Sequence, residues 1–402
     1  MPDGADTEVA GATPDAAAGA TALTLTLHPR IADIPAPEWD ACAGDENPFV
    51  SHAFLSALED SGSVGPPRTG WLPQHAALRD GTGALVACAP AYAKAHSQGE
   101  YVFDHGWARA YEAAGGRYYP KLQVAVPFSP VPGPRLLVRP GSGLPPGAMG
   151  AALAQATGEL GLSSCHVTFC GRGEWDALGE AGWLKRLGTQ FHWDNPGYGC
   201  FDDFLGALAS RKRKALRRER RDAQASGLAF RTLVGPEITP AHWRAFHRCY
   251  RDTSDRKWGS PYLNAKFWPL LGERLGERVV LMTAERDGET VAGALNLEGR
   301  DALYGRNWGC LAEAPFLHFE LCYYMAMDHA IARGLRRVEA GAQGEHKIQR
   351  GYLPAPTYSA HWIAHPGLRR AVADFLDRER PAMEREMAAL AEASPFRKGG
   401  ED

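Results

Sequence analysis

Between Glu339 and Arg350 the chain sets two carboxylates (Glu339 and Glu345), an amide (Gln343), an imidazole (His346), an ammonium (Lys347) and a guanidinium (Arg350) within twelve residues. Gly341, Gly344 and Gly351 punctuate the stretch, and Tyr352 closes it. Glycine lets a backbone turn tightly and lets a ligand approach closely. The run 335–340 ahead of it reads as a buried strand. Polar groups crowded at the end of such a strand are more often site than scaffold; the plainer alternative is a solvated turn before an amphipathic helix. These residue types offer proton transfer and the handling of an anion. A carboxylate desolvated at a strand end is raised toward a useful base, which fits Glu339 or Glu345. His346 is a candidate proton shuttle. Lys347 and Arg350 are candidates to hold a phosphate or a developing negative charge.

Other candidates lie apart in sequence. Tyr304, Arg306 and Asn307 share a run that reads as strand, where alternation puts Tyr304 and Arg306 on one face and Asn307 on the other. The plainer reading of Glu339 is a salt bridge to an arginine such as Arg306. His318 and Glu320 open a long helix, where Glu320 also suits the first-turn preference for acids. In the first half, Asp104, His105, Tyr118 and Lys121 form a polar-aromatic region suited to substrate binding. Arg211, Lys212, Arg213, Lys214 and Arg217 belong to 211–221, which holds eight basic residues and one acid. That density on a helix attracts phosphates, and the scarcity of aromatics argues against base stacking. A solvated helix face whose long stems cover apolar surface is an equal alternative.

A frame must position these groups. The first half reads as strands at 21–27, 75–79, 84–92, 122–126, 135–138, 165–169 and 187–193, with helices at 38–42, 49–58, 148–160 and 174–180. Asp80-Gly81-Thr82-Gly83 signals a hairpin. Pro196-Gly197 breaks the pattern, and one long helix at 201–224 follows. Then come a strand at 230–233, a helix at 240–253, a hairpin of 279–285 and 290–297 across Asp287-Gly288, and a strand at 302–308. A helix at 316–333, the strand 335–340, the polar loop, a strand at 358–364 and a helix at 367–393 complete the chain. This is an α+β pattern of mixed α/β type. The order of hairpin, strand, helix, strand, loop and strand resembles a GNAT-type acyltransferase, and it occurs twice. The expectation is two tandem GNAT-like domains at 21–195 and 196–393, with tails at 1–20 and 394–402.

The totals narrow the classes. With 45% apolar and 23% charged residues, the 402-residue chain has an ordinary globular composition. A net charge of −3 gives it no overall bias toward nucleic acid or membrane. Eight cysteines form no C-x-x-C pair and fourteen histidines form no H-E-x-x-H, so no metal site is expected. The cysteines read as buried thiols of a reducing compartment. No run approaches the roughly 18 apolar residues of a membrane helix, and the acidic start is unlike a signal peptide. The expected location is the cytoplasm, with 1–20 a disordered tail.

Three stretches together resemble a known family. Ser210-Arg211-Lys212-Arg213-Lys214 through Gly227, Phe316 through Tyr324, and Glu339-Ala340-Gly341-Ala342-Gln343-Gly344-Glu345-His346-Lys347 through Pro354 resemble the bacterial FemAB-like N-acyltransferases of the GNAT superfamily, often labelled peptidoglycan-biosynthesis proteins. Asn47-Pro48-Phe49, Tyr101 through Asp104 and Lys121 through Pro130 fit the same family. The resemblance spans roughly 22–385. It implies a Fem-like transferase that moves an acyl or aminoacyl group to an amine, such as a cell-wall precursor or a peptide. Glu339, Glu345, His346 and Lys347 would be catalytic. Tyr304, Arg306, Asn307, Gln343, Arg350, Tyr118, Lys121 and Asp104 would bind substrate. The basic helix would bind the phosphates of a tRNA.

One departure bears on the donor. GNAT enzymes that use acetyl-CoA carry a Gln/Arg-x-x-Gly-x-Gly/Ala loop whose amides hold the pyrophosphate at a helix N-terminus. Here the corresponding loop is Trp308-Gly309-Cys310-Leu311-Ala312-Glu313-Ala314-Pro315, with one glycine and an acid. The expectation is therefore no tightly bound cofactor and a co-substrate that is aminoacyl-tRNA, with acyl-CoA as the alternative. A catalytically inactive GNAT-like binding module is the reading from a different class.

Overall fold

The computed structural model describes residues 8–9, 22–257, 261–342 and 344–397. They fall into two compact units. The first joins 1–188 to 357–382, and the second joins 189–356 to 383–402. This differs from a single boundary near 195. The reason is a non-local strand pairing. Tyr358 through Ile363 run antiparallel to Ser164–Cys170, from Tyr358↔Cys170 to Ile363↔Ser164. The helix that follows buries Leu368, Val372 and Leu376 with Trp107, Ala108 and Tyr118. Apart from 8–9, the expected N-terminal tail lies outside the described residues.

In the first unit, strands Thr24–His28, His75–Arg79, Leu85–Ala89 and Leu137–Val138 pair antiparallel. Strands Trp71–Pro73, Ala91–Lys94 and Lys121–Val124 pair antiparallel, and the last runs parallel to Ser164–Cys170. The run 84–92, expected as one strand, is two. Pro90 has no N–H to give to a ladder, and at that residue the chain leaves one set of strands for the other. Leu78, Ala87, Leu122, Leu153, Val167 and Leu178 fill the core.

In the second unit, β1 (Ala229–Val234), β2 (Val279–Arg286), β3 (Glu289–Glu298) and β4 (Ala302–Cys310) form an antiparallel meander. The short β5 (Arg337–Glu339) runs parallel to β4 and antiparallel to His192–Asp194. Val280, Met282, Ala294, Leu303, Leu321, Ala326 and Val338 make the core. The helix expected over 201–224 is broken into Phe201–Ala207 and α1 (Ser210–Gln224). The break has a partner. Ala209 N–H donates to Pro395 O at 3.0 Å, Arg397 N–H donates to Ala207 O at 3.1 Å, and Phe396 pairs with Leu208. Residues 394–397 are therefore docked, where the sequence suggested a tail. Helix α2 (Pro240–Lys257) is as expected, whereas Phe267–Leu275 was not foreseen, because Pro269 and Gly272 weaken its helical signal. Helix α3 runs from Leu317–Phe319 through a π-helical turn, Glu320–Tyr324, into Met325–Ala332.

Candidate functional site

β4 and β5 pair over only three positions, ending at Tyr304↔Glu339, after which β4 runs on to Cys310 paired with β3 and no longer with β5. Just past that point lies Lys347. Its ammonium donates to Ala340 O at 2.6 Å and to Gly341 O at 3.1 Å. Burial pulls its pKa down from 10.5 to about 8. The residue sits in a 3-10 turn, Glu345–Arg350, that begins at Gly344. Gly344 has φ +99°, and a Cβ there would lie 2.3 Å from the His346 ring, so only glycine lets the imidazole take its place.

His346 Nε2 lies 3.0 Å from the Tyr323 hydroxyl. Burial first, then the charges of Arg350 and Lys347, hold the imidazole below its ordinary pKa. It is therefore neutral near pH 7. Burial also pushes the Tyr323 phenol well above its usual range. Arg350 lies over the Phe319 ring at 3.4 Å and donates to His346 O at 2.8 Å. Its Nε and Nη2 reach the Glu219 carboxylate at 3.1 and 2.9 Å. Tyr324 also donates to Glu219.

The other sequence candidates fall around this group. Glu339 is buried and pairs at 2.8 Å with Arg337, which lies on its own strand. His192 Nε2 is 3.8 Å away. Burial, then the Glu339 charge, lifts Tyr304 to about 12. Glu345 is exposed. Gln343 lies outside the described residues. Arg306 and Asn307 are half-buried on β4. The register there jumps from Asn296↔Gly305 to Leu295↔Asn307, which leaves Arg306 as the extra residue of a bulge. Simple alternation of Tyr304, Arg306 and Asn307 therefore does not hold.

On α1, Arg211, Lys214 and Arg217 are exposed, and Lys212 and Arg213 are half-buried. Arg217 pairs with Asp202 at 3.0 Å, and Lys212 bonds Gln349 of the turn. The helix buries Leu216 and Ala223, and polar pairs flank them. Arg220 bonds Asp328 and, at 3.2 Å, Glu320, which also accepts from Gln224 at 3.2 Å. Glu320 is thus buried and paired rather than an exposed first-turn charge, and burial raises its pKa. Tyr323, Phe319 and Glu219 were assigned no role from the sequence, although Phe319 and Tyr323 lie in the resembling stretch 316–324 and Glu219 is the one acid in the basic stretch.

A cavity of about 350 Å³ lies alongside, lined in part by Thr253, Arg256, Trp308, Cys310, Leu317 and His318. The His318 ring is 5.1 Å from Trp308, 5.3 Å from Tyr323 and 6.3 Å from His346, so it joins the cavity to the turn. A Cβ at Gly309 would lie 2.3 Å from the backbone of Cys249 and Tyr250, so glycine there lets α2 lie directly on β4.

The family model for FemAB-like proteins, described as peptidoglycan biosynthesis/recognition, matches residues 30–398. The chain belongs to the FemAB-like family. No curated protein matches it. Among solved structures it is similar to the C-terminal domain of a putative lysylphosphatidylglycerol synthetase from Agrobacterium fabrum, at 10% identity over 85% of this chain and 95% of that one, with a TM-score of 0.53. It is similar to FemX at 12% identity over 85% and 98% of the two chains, with a TM-score of 0.52. A tandem GNAT protein from the clavulanic acid biosynthesis pathway matches over 85% and 98% at 12% identity, with a TM-score of 0.42. The fold is of the expected mixed α/β class. Among the described residues no helix is long and apolar enough to cross a membrane, and no group of three or more His, Cys, Asp or Glu is set to hold a metal.

In the first unit of this FemAB-like chain, Asp104, Tyr118 and Lys121 do come together, but in the interior. Tyr118 donates to Asp104 at 2.7 Å, and Lys121 pairs with Asp104 and, at 2.7 Å, with Glu100. Lys121 also donates to Ser97 at 2.8 Å. His166 Nδ1 lies 2.7 Å from His361 Nδ1. Burial lifts Glu100 to about 7 and lowers Lys94 to about 7 and His166 to about 3. Burial also works against the charge of Asp104, but Lys121 beside it holds that carboxyl well below its usual range. These groups engage one another rather than solvent, whereas His105 next to them is exposed.

Proposed function

We propose that the second unit transfers an acyl or aminoacyl group to an amine of a peptidoglycan-related acceptor, at the end of β5 and the turn Glu345–Arg350. The observation that carries this is the pairing of a buried ammonium with a neutral base. Lys347 spends two of its three N–H donors on Ala340 and Gly341, which leaves one for the oxyanion of a tetrahedral intermediate. His346, held by Tyr323, takes the proton from the attacking amine. The amine nitrogen bonds the carbonyl carbon, the bond to the leaving oxygen breaks, and His346 returns the proton to that oxygen. Glu339 is engaged with Arg337 and braces the strand end, while the exposed Glu345 is the alternative base.

Aminoacyl-tRNA fits as donor because α1 is tied to the turn. Its exposed Arg211 and Lys214 face solvent, and Lys212 bonds Gln349 beside Lys347. A polyanion on that helix would thus be bound next to the reacting groups. Acyl-CoA is the second reading, and the glycine-poor loop 308–315 speaks against it. Incubating the protein with charged tRNA and, separately, with acyl-CoA in the presence of an amine-bearing muropeptide shows which donor is consumed. Consumption of acyl-CoA alone rejects the tRNA donor. Full product formation by both Lys347→Met and His346→Asn rejects the site.

A further inference from the structure

The roles just described leave the cavity beside His318 unused. We propose that it receives the side chain of the transferred aminoacyl group, an uncharged aliphatic or aromatic one, with the α-ammonium at Glu313. This rests on the transferase reading above and names which donors that site prefers.

Size comes first. About 350 Å³ is at the small end of the range of roughly 300–1,000 Å³ found for small-molecule pockets. At about 30 Å³ per water it equals on the order of ten waters, which suits a single amino acid and is too small for a nucleotide.

The walls set the chemistry. Trp308 and His318 meet edge to face, and Leu317, Ala312 and Ala314 add apolar surface. Three polar groups of the wall already have partners. Arg256 pairs with Asp252 at 2.5 Å and donates to Cys310 O at 2.8 Å. Thr253 Oγ1 accepts from Cys310 N–H at 3.1 Å, and the Cys310 thiol donates to Ala312 O at 2.7 Å. A charged side chain entering the cavity would lose water and find these partners already engaged. Glu313 differs: it is exposed at the rim and has no ion-pair partner among the described residues. A carboxylate so placed favours a ligand that carries an ammonium.

Position completes the case. The His318 ring stands between the cavity and the Tyr323–His346 pair. A side chain in the cavity therefore leaves its carbonyl carbon on the side of the reacting groups.

The test uses the full chain and two probes, L-leucinamide and N-acetyl-L-leucinamide, titrated by calorimetry. Leucinamide should bind about tenfold more tightly than its acetylated form. Glu313→Gln should remove that preference, and Ala314→Phe, which fills the cavity, should abolish binding of both. The pocket assignment is overturned by a wild-type chain that does not bind leucinamide, by an unchanged preference in Glu313→Gln, or by unchanged binding in Ala314→Phe. Glu313→Gln changes an exposed residue and tests the idea even if Ala314→Phe does not fold. Turnover separates the two readings. Leucinamide binding without transfer from any donor removes the transferase and keeps the pocket. Transfer whose preference among leucyl, glutamyl and glycyl donors is the same in Ala314→Phe removes the pocket and keeps the transferase.

Discussion

Glu219 and Arg350 meet in a two-pronged ion pair at 3.1 and 2.9 Å, across 131 positions of sequence. The planar guanidinium matches the carboxylate fork, so the pair fixes direction as well as distance. It holds the turn that carries His346 and Lys347. Glu219→Gln leaves a buried guanidinium partly uncompensated and should lower stability by about 2 kcal/mol. If the pair positions the turn, kcat per folded molecule should also fall about tenfold with KM little changed, and Arg350→Lys should not restore it. Steady-state kinetics normalised to the folded fraction decides. A drop in melting temperature with unchanged kcat would make the pair purely structural.

Lys347 ties stability to pH. Its folded pKa of about 8 lies below the ordinary 10.5. Between those values the unfolded chain binds a proton that the native chain does not, so this group makes stability rise with pH. At about 1.36 kcal/mol per pKa unit the full rise is roughly 3 kcal/mol. Urea unfolding at pH 7.5 and pH 10 should show that rise in wild type relative to Lys347→Met. Transfer should decline as pH climbs through about 8, because the ammonium is lost. A flat rate from pH 7 to 9.5 would speak against its role.

His346 should set the acid side of the profile. Its lowered pKa places the loss of activity below the ordinary histidine range. His346→Asn should cost roughly 10²–10⁴ in kcat, the usual worth of a positioned general base. Tyr323→Phe removes one hydrogen bond and should cost about tenfold. The measurement is kcat against pH for all three proteins, and an acid limb that persists in His346→Asn assigns the base elsewhere.

The buried cluster of the first unit makes a separate prediction. Lys121→Met strands Glu100 and Asp104 without their shared cation, and breaking such a buried pair costs about 3–5 kcal/mol. Glu100→Gln should be milder and should alter the pH response. Burial raises Glu100 to about 7 from 4.5, so between those values the native chain holds a proton that the unfolded chain releases. Wild-type stability should therefore fall, relative to Glu100→Gln, as pH rises from 4.5 to 7. Parallel slopes for the two proteins would refute the shift.

Local elements were legible where one signal dominated. The Asp287-Gly288 hairpin and the helix at 148–160 follow directly from turn chemistry and periodicity. The polar turn was legible as a cluster of polar groups at a strand end. What escaped depends on partners distant in sequence. Helical periodicity continues through Leu208, yet the backbone there pairs with Phe396. Apolar β-rich residues run through 84–92, yet Pro90 divides them. Glu339 has Arg337 beside it on the same strand, two residues away, and the bulge at Arg306 spoils the alternation expected of Tyr304, Arg306 and Asn307. Glu219 looked like an interruption in a basic face and is the residue that receives Arg350. Asp104, Tyr118 and Lys121 lie together, but nothing in their spacing shows that the group closes on itself.

The interleaving of the two units sets an order for synthesis. The ladder on Ser164–Cys170 is completed by Tyr358 through Ile363, nearly two hundred residues later (|i−j| of 195 for His166 and His361). As the chain leaves the ribosome, the first unit must therefore wait with an open strand edge and an uncapped Trp107–Tyr118 surface while most of the second unit is made. Separate expression of 1–195 would freeze the protein in that incomplete state. Excising the second unit while keeping 357–382 joined to the first would not.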